Sequence, residues 1–372
     1  MTDRFIQFAN AGARGLQPYI PGKPISELER EYGVRDAVKL ASNENPLGPS
    51  PAALQAAHAA LAETSRYPDG NGFALKQSLA AVHGVQPACL TLGNGSNDIL
   101  ELVGRAFLSP GVEAVYSEYA FLVYPIVVQG SGAIARVAKA HDGSRGPRYG
   151  HDLDAMGTLV NDKTRVVFIA NPNNPTGTWL PGSALKTFIT RLPEHVLIVV
   201  DEAYFEYVDN PDYPNAVDWI GAHPNLLVTR TFSKAYGLAS LRVGYGVAQP
   251  ALSDLLNRVR QPFNVNGPAQ AAATAALTDL AHVARGVKLN REEMKKLERG
   301  FDELALEYVP SAGNFILVNV ARPAMPVYEA LLREGVIVRP VANYGLAEHL
   351  RISIGTADEN QRLLNALARV LA

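Results

Sequence analysis

The sequence predicts an α/β fold: a large domain on a mostly parallel central sheet covered by helices, then a smaller α+β domain. Three observations predict it. Short apolar runs recur through the middle of the chain, at 89–92, 114–116, 133–137, 166–170, 196–200, 226–229 and 243–247. Helical patterns lie between several of them, as at 96–108 and 181–192. Beyond 261–268 the texture changes to a long amphipathic segment and further short strands. Runs that are apolar throughout suit strands buried on both faces, and strands alternating with helices suit parallel crossovers.

Taken in order, the first 46 residues are broken by Pro18, Pro21, Gly22, Pro24 and Pro46 and read as an extended arm. The Ala/Leu pattern of 51–63 is helical, and 66–72 is a loop. The segment from Ala235 onward is expected to be helical. The hinge is expected at 261–268, which divides the chain into an arm (1–46), a large domain (47–262) and a small domain (263–372). In the small domain, Val287, Met294, Leu297, Phe301 and Leu304 fall at helical spacing. Strands at 315–320 and 336–339 follow, then Leu350-Arg-Ile-Ser-Ile-Gly355 and a closing helix at 358–371.

Composition excludes several classes. Of 372 residues, 47% are hydrophobic and 19% charged, enough to bury a sizeable core. The net charge is −2, from 34 basic and 36 acidic residues with no basic block, so neither nucleic acid nor an anionic membrane is an expected partner. The single cysteine, Cys89, sits in an apolar run and reads as packing; one cysteine allows no internal disulfide and fits a reducing compartment. No run approaches the roughly 18 apolar residues of a membrane span, and the N-terminus has no apolar leader core. The expectation is a soluble, cytoplasmic protein. The eight histidines show no metal-ligand spacing.

In parallel α/β sheets ligands bind beyond the carboxyl ends of the strands, and the unusual residues of this chain cluster there. Lys234 follows the apolar run 226–229 within Thr231-Phe-Ser-Lys-Ala-Tyr-Gly. A lysine in such a segment either points to water from a loop tip or is put to chemical use. Asp201 ends the run 196–200; a buried carboxylate there needs a cation, unless it caps the next helix. Asn171-Pro-Asn-Asn-Pro-Thr-Gly177 makes a rigid turn after 166–170. Gly93-Asn-Gly-Ser-Asn97 opens a helix and suits a phosphate, although Ser96 or Asn97 could be ordinary caps. Ser233 and Arg242 are phosphate-compatible as well. Pyridoxal phosphate asks for all of these at once. Its aldehyde takes a lysine, its ring nitrogen a carboxylate, its ring oxygen hydrogen-bond donors and its phosphate an anion cup.

The order Gly-x-Gly-Ser, Asn-Pro-Asn-Asn-Pro-Thr-Gly, Asp-Glu-Ala-Tyr, Ser-Lys-x-x-Gly-Leu-x-x-Leu-Arg and Leu-Arg-Ile-Ser-Ile-Gly resembles the fold-type I aminotransferases, from about residue 19 to the end. Leu40-Ala-Ser-Asn-Glu-Asn-Pro-Leu-Gly48 and Arg66-Tyr-Pro-Asp69 are similar to the histidinol-phosphate branch. The resemblance implies that Lys234 holds the cofactor as an imine and later moves protons. It implies that Asp201 meets the ring nitrogen and that Asn174 and Tyr204 meet the ring oxygen. Gly95, Ser96, Asn97, Thr231, Ser233 and Arg242 would surround the phosphate, and Phe121, or Tyr119 in its place, would stack on the ring. Tyr67 would reach the cofactor phosphate of a neighbouring subunit, implying a homodimer with shared sites. Tyr19, Asn43, Arg339 and Arg351 would bind substrate, the two arginines gripping either a phosphate or a carboxylate. The implied reaction is a ping-pong amino transfer between histidinol phosphate and 2-oxoglutarate, giving glutamate. An aromatic amino-acid aminotransferase and a threonine-phosphate decarboxylase use the same framework and stay open as alternatives.

Overall fold

The computed structural model describes residues 3–18 and 22–372. The expected substrate contact of Tyr19 lies outside the described residues. Strands are numbered in chain order, beginning with the two-residue β1 (Val38–Lys39). The large unit holds β2 (Leu90–Gly93), β3 (Glu113–Ser117), β4 (Ile134–Ala138), β5 (Thr164–Ala170), β6 (Leu197–Asp201), β7 (Leu226–Thr231) and β8 (Gly244–Ala248). Among the described residues these form one seven-stranded sheet in the order β2-β8-β7-β6-β5-β3-β4. β8 runs antiparallel to both of its neighbours, and every other adjacent pair is parallel.

Each residue of β3, β6 and β7 is buried, as sheets covered on both faces require. On one face Val167, Ile169, Ile198 and Val200 pack with Leu185 and Phe188 of the helix Gly182–Arg191. On the other, Val166, Phe168 and Val199 pack with Ile99, Leu100 and Val103 of the helix Ser96–Phe107. β4 lies at the sheet edge, and four of its five residues are exposed.

The small unit contains β9 (Glu307–Val309), β10 (Phe315–Asn319), β11 (Val336–Ile337), β12 (Arg339–Pro340) and β13 (His349–Ser353). β12-β13-β10-β9 form an antiparallel sheet, packed on the helices Leu280–Glu303, Ala324–Arg333 and Ala357–Leu371.

Three expectations need correction. The stretch 1–46 is not simply an arm: β1 pairs in parallel with β11, and Leu40 is buried in the small unit's core. The boundary at 262/263 falls too early. The helix Gly267–Ala276 buries Ala269, Ala272, Ala273 and Ala276 in the large unit's core with Ala53, because a face of small residues allows close approach. The small unit begins with the helix Leu280–Glu303, which contributes Met294, Leu297 and Phe301 to the small core. Finally, no regular α-helix starts at Ala235. Gly237 is left-handed (φ +70°), and a Cβ there would meet the Gly48 carbonyl oxygen at 2.3 Å. A 3-10 turn, Ala239–Leu241, takes its place.

Candidate active site

The carboxyl ends of β2, β5, β6 and β7 converge on one cavity of ≈ 220 Å³. After β2 the chain turns through Gly95 (φ +78°) into the helix Ser96–Phe107. The left-handed φ favours glycine there, and a Cβ would come within 2.8 Å of the Arg242 guanidinium. No side chain caps the start of that helix, which leaves its first N–H groups facing the cavity rim beside Ser96 and Asn97. Arg242 Nη1 donates to Ser233 Oγ at 3.3 Å, and Thr231 Oγ1 donates to Ser233 Oγ at 3.0 Å. Three hydroxyl and guanidinium groups are thus gathered beside a helix N-terminus, an arrangement suited to an anion.

β6 delivers Asp201, 3% exposed, to the cavity floor. Thr229 Oγ1 donates to Oδ1 at 2.9 Å and Tyr124 Oη donates to Oδ2 at 3.1 Å. Among the described residues no cation pairs with it. Burial pushes its pKa up to about 6, with the hydroxyl donors pulling the other way. Lys234 lies beyond the end of β7, and its Nζ donates to the Ser42 carbonyl at 3.0 Å. Burial first, and the nearby Arg351 charge second, bring its pKa down to about 7. The cavity therefore holds an acid and a base whose proton affinities have moved toward each other, as at sites of proton transfer.

The turn after β5 places Asn174 against Arg351, whose Nη1 donates to Asn174 Oδ1 at 2.6 Å while Nη2 donates to the Ala41 carbonyl at 2.6 Å. Arg339 lies directly across from Arg351, on β12 and β13, and both line the cavity. Asn43 Nδ2 donates to Tyr204 Oη at 2.9 Å, and Ser353 Oγ holds Asn43 Oδ1 at 3.0 Å.

Of the residues singled out from sequence, Asn43, Gly95, Ser96, Asn97, Phe121, Asn174, Asp201, Tyr204, Thr231, Ser233, Lys234, Arg242, Arg339 and Arg351 all line this cavity. Phe121 lines it, whereas Tyr119 packs edge-on to Tyr149 outside it. Tyr67 is also outside, 82% exposed and stacked on Phe263 at 4.7 Å. Sequence reasoning missed Ser42, Tyr124, Thr229 and Ser353. Thr229 carries a usable signal, since a hydroxyl buried in a β-strand next to the strand of Asp201 asks for a buried partner. Tyr124 gives none, because an aromatic in an apolar helix reads as core.

Against known proteins, residues 35–367 match the family described as aminotransferase class I and II. The chain belongs to that family. Among curated aminotransferases of the family, it is 60% identical over 360 residues to histidinol-phosphate aminotransferase 2 of Methylococcus capsulatus, covering 97% of each chain. It is 59% identical to the Pseudomonas fluorescens protein of the same name, covering all of both. Among solved structures, the histidinol-phosphate aminotransferase of Sinorhizobium meliloti in complex with pyridoxal-5'-phosphate superposes with a TM-score of 0.88 at 30% identity, over 98% of this chain and 97% of that one. This aminotransferase is therefore fold-type I, its large, mostly parallel sheet followed by a small antiparallel one. Among its described residues no helix is long and apolar enough to cross a membrane, and no side-chain group suits a metal ion.

Proposed function

We propose that this aminotransferase uses pyridoxal phosphate to exchange an amino group between histidinol phosphate and 2-oxoglutarate, as a cytoplasmic homodimer. The observation that carries the reading is one cavity holding Lys234, an Asp201 with no ion-pair partner among the described residues, and two arginines paired across adjacent strands. The names and full-length similarity of the relatives support the choice of substrate.

The residues present fit the cofactor. A buried carboxylate held by neutral donors suits a protonated ring nitrogen. The side-chain-free cradle at Gly95, the open helix start, Thr231, Ser233 and Arg242 suit its phosphate. Asn174 and Tyr204 are the candidates for its ring oxygen, and Phe121 for its ring face. When bound, the cofactor supplies a conjugated electron sink for the charge left when the substrate loses a proton.

The chain's own residues do the rest. Burial brings the pKa of Lys234 down to about 7, so near neutral pH its amine can take a proton from a bound substrate and give it back. Asp201 keeps a positive partner protonated by charge complementarity. Arg351 and Arg339 bind the substrate's anionic end. Histidinol phosphate carries a phosphate and no carboxylate, whereas glutamate carries carboxylates, and a guanidinium fork accepts either anion. Ser353 orients Asn43 and through it Tyr204, so the stretch before the first long helix helps form the pocket. Tyr67, exposed and outside the lining of its own cavity, is proposed to reach the site of the second subunit.

The test is a half-reaction. Protein loaded with pyridoxal phosphate is mixed with histidinol phosphate and no acceptor, and the cofactor's visible absorbance is followed. Conversion to the amine form at low concentration, with phenylalanine far weaker, is the expected result. Equal conversion by phenylalanine would reassign the enzyme to aromatic amino acids. Carbon dioxide release from threonine phosphate would reassign it to decarboxylation.

A further inference from the structure

Each oxygen of the Asp201 carboxylate receives one hydroxyl, Thr229 on Oδ1 and Tyr124 on Oδ2. Tyr124 is fully buried in the helix Val123–Gly130, within a cluster whose other buried members, Tyr116 apart, are aliphatic or phenylalanine side chains. Its ring lies on Phe168, with centroids 4.8 Å apart and planes 12° apart. It also meets Phe121 edge-on at 5.9 Å and 89°. Its backbone N–H donates to the Phe121 carbonyl at 3.0 Å. Phenylalanine would satisfy all of this packing, so the hydroxyl has a use only at Asp201. A buried hydroxyl without such a bond would be destabilising.

We propose that Tyr124, together with Thr229, is a positioning residue of the reaction: the two hydroxyls fix the Asp201 carboxylate toward the cavity, and the Tyr124 ring backs Phe121 on the same wall. The inference rests on the reading of Asp201 as the partner of the cofactor's ring nitrogen. A carboxylate offers about four acceptor sites. The two hydroxyls take one site on each oxygen and the Ala203 N–H also favours the ionised form, which still leaves acceptor capacity for a ligand in the cavity. Both donors favour the ionised carboxylate. They oppose burial and the neighbouring Glu202 charge, which favour the protonated form. Lys234, Arg242, Arg339 and Arg351 are the other charged groups that line the cavity.

The experiment measures pyridoxal phosphate binding to the purified full chain as a function of pH, by dialysis and absorbance, alongside thermal melting. The variants are Tyr124→Phe, Thr229→Val, Thr229→Ser and, as a control, Tyr116→Phe. Tyr116 is a buried tyrosine in the same cluster, tilted against Tyr124 at 6.5 Å. Tyr124→Phe and Thr229→Val are each expected to weaken binding about tenfold at neutral pH, the worth of one hydrogen bond to a charged group. Each should also raise the pH below which affinity falls. Thr229→Ser restores the hydroxyl and should bind like the wild type, as should Tyr116→Phe. A lowered melting temperature with an unmoved pH midpoint would mean a structural role only and would overturn the inference. So would wild-type binding in Tyr124→Phe. If the wild type itself fails to bind pyridoxal phosphate, the functional reading falls, and the inference with it.

Discussion

Asp201 and Glu202 are neighbours at the end of one strand, both buried, and the chain treats them oppositely. Glu202 Oε2 accepts from Arg230 Nε at 3.0 Å and Nη2 at 2.7 Å, and its Oε1 accepts the Ala216 N–H at 3.0 Å. Arg230 in turn donates to Asn215 Oδ1 at 2.6 Å, with its guanidinium carbon 3.5 Å from the centroid of the Phe205 ring. Asp201 receives two neutral hydroxyls and no cation among the described residues. One β7 dipeptide serves both carboxylates: Thr229 meets Asp201 and Arg230 meets Glu202, as strand alternation sends successive side chains to opposite faces. The rear face is compensated within the chain and stabilises the fold. The front face carries a carboxylate with no ion-pair partner among the described residues, open to a cationic ligand in the cavity.

The comparison can be broken in four places. The largest effect belongs to Lys234→Ala, which should lower amino-transfer turnover by about 10⁴-fold or more while the far-ultraviolet spectrum is unchanged. Substantial retained turnover would remove Lys234 from the chemistry. Next is Glu202→Gln on the rear face, which leaves Arg230 buried without its counter-charge. A loss of about 3–5 kcal/mol in denaturant unfolding is expected. A near-neutral result would erase the contrast between the two faces.

Asp201→Asn should behave in the opposite sense when no cofactor is bound. The folded pKa of Asp201, about 6, lies above its ordinary value of 3.8, so between these pH values the folded protein holds the proton more tightly than the unfolded chain. Its contribution to stability is fully present below about pH 4 and is lost as pH rises through 6. The variant should therefore melt higher than the wild type at pH 8 without cofactor, and the gain should vanish on acidification. With cofactor, turnover should fall sharply. A variant that melts lower at pH 8 would show that the front-face charge is compensated after all. The smallest effect is expected at Asp254→Asn, which breaks an exposed pair with Arg258 on the helix Pro250–Val259. Unfolding free energy should change by less than about 0.5 kcal/mol. A larger change would mean that surface pairs, too, hold this fold.

The strands and most helices were legible because buried β-branched runs and helical apolar periodicity are local properties of the chain. The residues that line the cavity were legible for a related reason. Lys234, Asp201, the Asn171–Gly177 turn and the Gly93–Asn97 turn each interrupt an apolar element with a group that such an element tolerates only at its end. Failures came where a local pattern competed with packing at a distance. The segment after Lys234 has helical composition, but the close approach of Gly48 to Gly237 forces a left-handed turn. The Ala-rich helix Gly267–Ala276 follows a Pro/Gly break typical of a linker, yet its small residues dock it into the large core.

By itself, then, the sequence determined the fold class, the strand-end placement of the site and the kind of cofactor chemistry those residues suit. Only the tertiary structure decided that residues 41–43 line the same cavity as a strand some 300 residues later, and that Phe121 rather than Tyr119 faces it. It alone placed Tyr124 and Thr229 on the two oxygens of Asp201. Periodicity and propensity act over a few residues, whereas the partner of a buried polar group is set by which elements the sheet order brings side by side.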